Sequence, residues 1–340
     1  MRVCSGTFGV LVSLVVGGAM AQAQVQSAVG GAAPHVAAAE AAAGQHGGAR
    51  VLFERLCVAP PPMPAPSSAP PPVAQPQAPP PRAQWYAEPV KVFDDLYFIG
   101  QSAYTAWAVV TSDGIIVIDA LFDYSVEDEV VGGLTKLGLD PNQIKYVLVS
   151  HAHRDHVAGA RYLQERFGAR VVLSEADWNL LETDPGEWPK ATRDIVATEG
   201  QALTLGDTTL TLHLTPGHTL GTISTIIPVR DGGRSHVAVL WGGTGFNWRR
   251  GSPRYITPER PAGFWYERYS SSARRLRDFA AKAGADVILS NHPAYDASDV
   301  NLPAMATRGA GDPHPYVIGQ EAVSGFLTVA EECATAGPLW

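Results

Sequence analysis

Cysteine is scarce in this chain. Its three residues, Cys4, Cys57 and Cys333, stand in no metal-ligand spacing, so a metal would have to be held by other side chains. Positive charge is also short: 25 Lys and Arg face 33 Asp and Glu for a net charge of −8. That balance leaves no basic stripe for nucleic acid and argues against a polyphosphate ligand. A long apolar run is missing too, since Phe8 to Met20 is too short and Gly-rich to span a bilayer comfortably. What is present is 46% hydrophobic residues in 340, enough for one large core and one catalytic domain acting on a small molecule.

Arg2, the apolar run and the small-x-small triplet Ala19-Met20-Ala21 predict a signal peptide over 1–21, cleaved after Ala21 or Ala23. The protein would then be periplasmic or secreted and keep no membrane span; it is expected to act as a monomer. Residues 22–83 read as a low-complexity extension. Ala, Gly and Gln dominate Gln24 to Gly48, and Pro dominates Ala59 to Arg82 as an extended tether. Between them, Ala49 to Val58 has an amphipathic pattern that suits docking on the domain. After export Cys57 and Cys333 flank the domain in an oxidising compartment, and pairing or two separate thiols are both open.

The folded domain is expected over 84–340. Apolar runs rich in β-branched and aromatic residues predict strands at Leu96 to Ile99, Ala106 to Thr111, Ile115 to Asp119 and Tyr146 to Ser150. Further strands follow at Arg170 to Leu173, Thr208 to Leu214, Thr222 to Pro228, His236 to Trp241 and Val287 to Ser290. Helical spacing marks Val126 to Leu137, Ala158 to Phe167, Gly263 to Ala283 and Glu321 to Cys333. Strands and helices alternate twice, which points to an α/β layering of two sheets between helices.

The segment Ser150-His151-Ala152-His153-Arg154-Asp155-His156 carries four candidate ligands in six positions, directly after an apolar strand. Three imidazoles and a carboxylate suit Zn²⁺ where cysteine is absent. Alternation puts His151 and His153 on one side of an extended segment, and Asp155 and His156 face a second ion after the bend. His218, in Thr215-Pro216-Gly217-His218-Thr219, and His292, after Ile288-Leu289-Ser290-Asn291, also follow strands and can point into the same cleft. His35, His46, His213, His236 and His314 sit in low-complexity, strand-interior or Pro-flanked settings, and none is expected to bind metal.

Together with Asp119 at the end of Ile115-Ile116-Val117-Ile118, these motifs resemble the metallo-β-lactamase-fold hydrolases from about Trp85 to Ala336. The resemblance implies a four-layer αββα sandwich with two Zn²⁺ ions. His151, His153 and His218 would hold the first and Asp155, His156 and His292 the second; Asp119 would support the ligand loop from behind. Relatives of glyoxalase or lactonase type carry a bridging Asp where this chain has Gly243. The sequence is therefore most similar to class B, subclass-three β-lactamases. That implies opening of the β-lactam amide by a metal-activated hydroxide oriented by Asp155, with Thr244 and Asn247 near the substrate carboxylate and Trp241 either lining the pocket or packed in the core. The alternatives are another exported hydrolase of this fold, a lactonase or thioesterase, or a non-catalytic zinc-binding envelope protein.

Overall fold

The computed structural model describes residues 16–59, 78–251 and 254–340. The start of the expected signal peptide and most of the Pro-rich stretch lie outside these residues. The first sheet has seven strands in chain order: β1 (Val90–Lys91), β2 (Leu96–Phe98), β3 (Trp107–Thr111), β4 (Gly114–Ile118), β5 (Ile144–Leu148), β6 (Arg170–Ser174) and β7 (Ile195–Ala197). It begins as an antiparallel meander and turns parallel from β4 onward. The second sheet holds β8 (Gln201–Leu205), β9 (Thr208–Leu214), β10 (Ile223–Asp231), β11 (Arg234–Trp241) and β12 (Val287–Ser290), ordered β12-β11-β10-β9-β8.

Ten helices are described: α1 (Val16–Ala43), α2 (Gly47–Leu56), α3 (Gly132–Lys136), α4 (Arg154–Val157), α5 (Ala160–Phe167), α6 (Glu175–Glu182), α7 (Ala262–Ala283), α8 (Pro293–Asp296), α9 (Ser298–Thr307) and α10 (Gln320–Ala336). The predicted Val126 to Leu137 helix opens with a wider π turn over Glu127–Val131 before α3.

The layering follows from the period of two along each strand. On β4, Ile115 and Val117 join Leu134, Leu163 and Trp178 in a core between the first sheet and its helices. Ile116 and Ile118 point the other way, into a core shared with Leu210, Ile227 and Leu289 of the second sheet. On β11 the same alternation sends Leu240 into the inter-sheet core and Val239 and Trp241 into a third core, with Tyr269, Leu276 and Phe326. Three cores separate four layers: helices, sheet, sheet, helices.

The sequence reading placed residues 24–48 outside any core, and the structure corrects this. Ala-rich sequence has high helix propensity, and α1 docks on α10 with Ala32, Ala39 and Ala43 buried. Gly325 permits the close approach, because a Cβ there would lie 2.4 Å from the Ala42 carbonyl oxygen. Helix α2 docks as expected, burying Leu52 and Leu56. Cys57, at its end, forms a disulfide with Cys333 of α10.

Candidate metal centre

The site lies where strands of both sheets end. His151 to His156 follow β5, His218 follows β9, Gly242 to Asn247 follow β11, and His292 follows β12. Buried strands fix where each loop starts. A hydrogen bond donated by the Ile223 amide, at the start of β10, to the Ser150 carbonyl, 2.8 Å, ties the two sheets together here.

His151, His153 and His218 offer ring nitrogens within 4.8 Å of one another, and the ring nitrogens of His151 and His156 lie equally close to a carboxylate oxygen of Asp155. His151 donates from Nδ1 to the Gly242 carbonyl at 2.8 Å, and His218 from Nδ1 to the Gly245 carbonyl at 2.7 Å. A carbonyl can only accept, so both Nε2 atoms carry lone pairs. They face each other at 3.2 Å, with His153 Nδ1 3.1 Å from His218 Nε2. Ligands about 2.0–2.1 Å from a tetrahedral zinc stand about 3.3 Å apart, so the three nitrogens fit such an ion. His153 is held from behind by a 2.6 Å hydrogen bond between its Nε2 and the Tyr255 hydroxyl.

Burial and the neighbouring imidazoles push His151 and His153 well below the usual histidine range. Burial likewise lowers His218 and His292, each to about 4. All four are thereby kept neutral, the form that binds metal.

The second group is built around His156. Its Nδ1 donates to Asp119 Oδ2 at 2.9 Å, while its buried Nε2 has no hydrogen-bond partner and stands 3.3 Å from Asp155 Oδ2. An orphaned ring nitrogen beside a carboxylate is the donor set a cation completes. Burial opposes the charge on His156, but Asp155 and Asp119 outweigh it and push it up to about 10. Burial also opposes ionisation of Asp155, yet the surrounding imidazoles hold it below the usual carboxylate range. His292 stands beside this group, its ring 5.2 Å from that of His156 and its Nδ1 donating to the Ala103 carbonyl at 3.0 Å.

Asp119 lies behind His156 and the start of the 150–156 segment. It is buried in the left-handed region (φ 61°), and its oxygens accept from the Ser150 amide at 2.7 Å, the Ser150 hydroxyl at 2.9 Å and His156.

The structure corrects one substrate-contact expectation. Thr244 is only 1% exposed and its carbonyl accepts from the Tyr269 hydroxyl, which leaves it little surface for a ligand. Asn247 does lie at the site, its Nδ2 3.2 Å from the His218 ring. Trp241 is core, its indole N–H bonded to Tyr269. At Gly243 a Cβ would fall 2.4 Å from His218 Cβ, so with this backbone no larger residue fits there.

The other five histidines are engaged elsewhere. His35 pairs with Glu332, His213 with Glu199 and His236 with Asp286. His46 caps α2, and His314 stacks on Phe93.

Four supporting residues were missed at the sequence level. Asn291 donates to the Gly242 carbonyl, Tyr104 packs its ring 5.2 Å from that of His292, and Tyr255 holds His153. Asp177 is buried and accepts from the Ala152 amide, the Thr219 hydroxyl and the Gly221 amide, joining the two ligand loops; burial raises it to about 6. Only the Ser174-Glu175-Ala176-Asp177 capping pattern hinted at the place of Asp177, and nothing in it pointed to the loops.

Residues 99–232 match the family described as the metallo-beta-lactamase superfamily. A hydroxyacylglutathione hydrolase of Mesorhizobium japonicum is 33% identical over 121 residues, which is 34% of this chain and 43% of that protein. One from Acidiphilium cryptum is 37% identical over 82 residues, 24% and 30% of the two chains. The chain thus spans less than half the length of the curated relatives it matches. Solved structures align more widely. A subclass B3 metallo-beta-lactamase of Bradyrhizobium japonicum is 27% identical with a TM-score of 0.60, covering 72% of this chain and 91% of that one. The metallo-beta-lactamase of Legionella gormanii is 25% identical with a TM-score of 0.63, covering 73% and 95%.

Proposed function

We propose that this chain, whose residues 99–232 match the metallo-beta-lactamase superfamily, is a metallo-hydrolase that holds two zinc ions and opens the amide of β-lactams. The observation that carries the reading is the convergence of His151, His153 and His218, where the Nε2 lone pairs of His151 and His218 face each other, and of Asp155 beside the buried Nε2 of His156. His151, His153 and His218 would hold one ion; Asp155, His156 and His292 would hold the other. When bound, zinc supplies Lewis acidity, polarising the carbonyl under attack and bringing the ionisation of water close to neutral pH.

The chain's own part is orientation. Asp155, kept ionised, accepts a hydrogen bond from the attacking water at its carboxylate and aims a water lone pair at the carbonyl carbon. Asp119 and Tyr255 fix the rings of His156 and His153. Gly242 and Gly245 fix the tautomers of His151 and His218. The hydroxyl beside His151, that of Ser150, is buried and spent on Asp119, so no acyl-enzyme is expected. Export by a signal peptide to the periplasm or beyond fits the Cys57–Cys333 disulfide, a bond that persists in oxidising compartments.

A second reading, thioester hydrolysis, draws on the hydroxyacylglutathione hydrolases. Gly243 weighs against it: the bridging carboxylate implied for relatives of that type has no room beside His218. The test is turnover of a chromogenic cephalosporin and of a hydroxyacyl-glutathione thioester by the same zinc-counted sample. Zinc-dependent β-lactam turnover supports the first reading; thioester turnover alone replaces it with the second.

A further inference from the structure

Next to the His151, His153 and His218 group opens a cavity of about 580 Å³ that the reading above leaves unused. Tyr255 separates the two, its hydroxyl holding His153 while its side chain lines the cavity. Leu180, Leu220 and Trp265 give the lining an apolar part, and Leu220 is unusual among the large apolar residues in being 37% exposed. Arg254 and Arg260 add two guanidinium groups. Both acids that line the cavity are engaged. Asp177 spends its carboxylate inward, on the Ala152 and Gly221 amides and the Thr219 hydroxyl. Asp184, whose side chain is 13% exposed, pairs with the 39% exposed Arg254 at 3.1 Å, so Arg254 reaches a ligand by sharing its guanidinium fork with Asp184, and no ion pair among the described residues engages Arg260.

The turn after β11 offers little to an anion. Gly243 is pressed against His218, Thr244 is buried, and Asn247 is already on the His218 ring. We propose that the cavity binds an aryl or alkyl arm of the substrate carrying a carboxylate, which Arg254 and Arg260 grip while Leu220 and Trp265 cover the arm. A planar guanidinium fork matches a carboxylate in two parallel hydrogen bonds, and apolar walls beside it reject water. The inference rests on the proposed function for where the reacting carbonyl sits, but not for binding itself.

The test is calorimetric titration of the zinc-loaded full chain with phenylacetate and with phenylacetamide, which has the same shape and no charge. Acetate, which has the charge and no ring, reports any carboxylate taken up at the metal centre alone. The acid should bind at least about tenfold more tightly than the amide, or about 1.4 kcal/mol, and more tightly than acetate. The Arg254→Gln, Arg260→Gln double variant should erase that preference. Asp184→Asn, which removes the competitor for Arg254, should increase it. Equal binding of acid and amide overturns the inference, and so does a preference that survives the double variant. If the same sample hydrolyses no β-lactam while the acid preference holds, the proposed reaction falls and the carboxylate site stands.

Discussion

Two regions of this molecule solve the same problem, holding segments far apart in the chain against one another, by opposite means. Around the histidines the segments are 150–156, 215–222, 242–247 and 291–292, and polar contacts hold them: Asp119, Asp177 and Asn291 each bond to backbone groups of the ligand loops. In the helical layer formed by α1, α2, α7 and α10, the core contacts are Ala, Leu and aromatic side chains, with Arg274 and Arg277 of α7 and His35 of α1 pairing with Glu331 and Glu332 of α10, and one disulfide closes it. The polar region leaves lone pairs and an orphaned nitrogen facing inward, arranged for a guest. The apolar region is filled by its own side chains. Function therefore concentrates in the first and resistance to unfolding in the second.

The largest effect that would break this division is at His153. His153→Ala should take zinc-dependent turnover to the detection limit and lower the bound zinc, while the melting of the disulfide-linked helical layer stays cooperative; metal counting beside calorimetry checks both. Next comes the other staple. Replacing Cys57 and Cys333 together by Ala should cost about 2–5 kcal/mol of stability, read from denaturant midpoints, and leave zinc affinity unchanged. If zinc affinity fell with it, the two regions would be one cooperative unit and the contrast would fail.

Smaller still is Asp119→Asn, which weakens support of His156 and the Ser150 amide and should lower zinc affinity by about 10- to 100-fold in a chelator competition. The smallest concerns Glu129, away from both regions. Burial raises it to about 8, with the hydrogen bond it accepts from the Ala87 amide acting in the opposite sense. Its folded value lies above the unfolded 4.5, so its contribution is fully present below about pH 4.5 and is lost as pH rises through about 8. Glu129→Gln should therefore narrow the difference in urea midpoint between pH 5 and pH 9. An unchanged difference would mean that another group sets that slope.

The candidate ligands and their support were legible in the sequence because four of the relevant signals are local: a histidine cluster, two histidines after strands, and an Asp at the end of the third apolar run. Residues that support the ligands were not legible, for a physical reason. Tyr255 reaches His153 across a sequence gap of 102, and Asn291 reaches Gly242 across 49; each is an ordinary residue until the sheets bring it there. Thr244 was misjudged because nearness to the site in sequence does not fix which way a side chain points. The extension was misjudged because a composition poor in large apolar residues can still form a helix, and small residues pack closely against a partner that offers a glycine.

The link between Cys57 and Cys333 also changes what a protease can accomplish. Those two residues are 276 positions apart, so one cut anywhere between them, including in the Pro-rich stretch, opens a ring without releasing a fragment. Both pieces stay joined through sulfur, and the helix that carries Cys57 can be shed only after the bond is reduced.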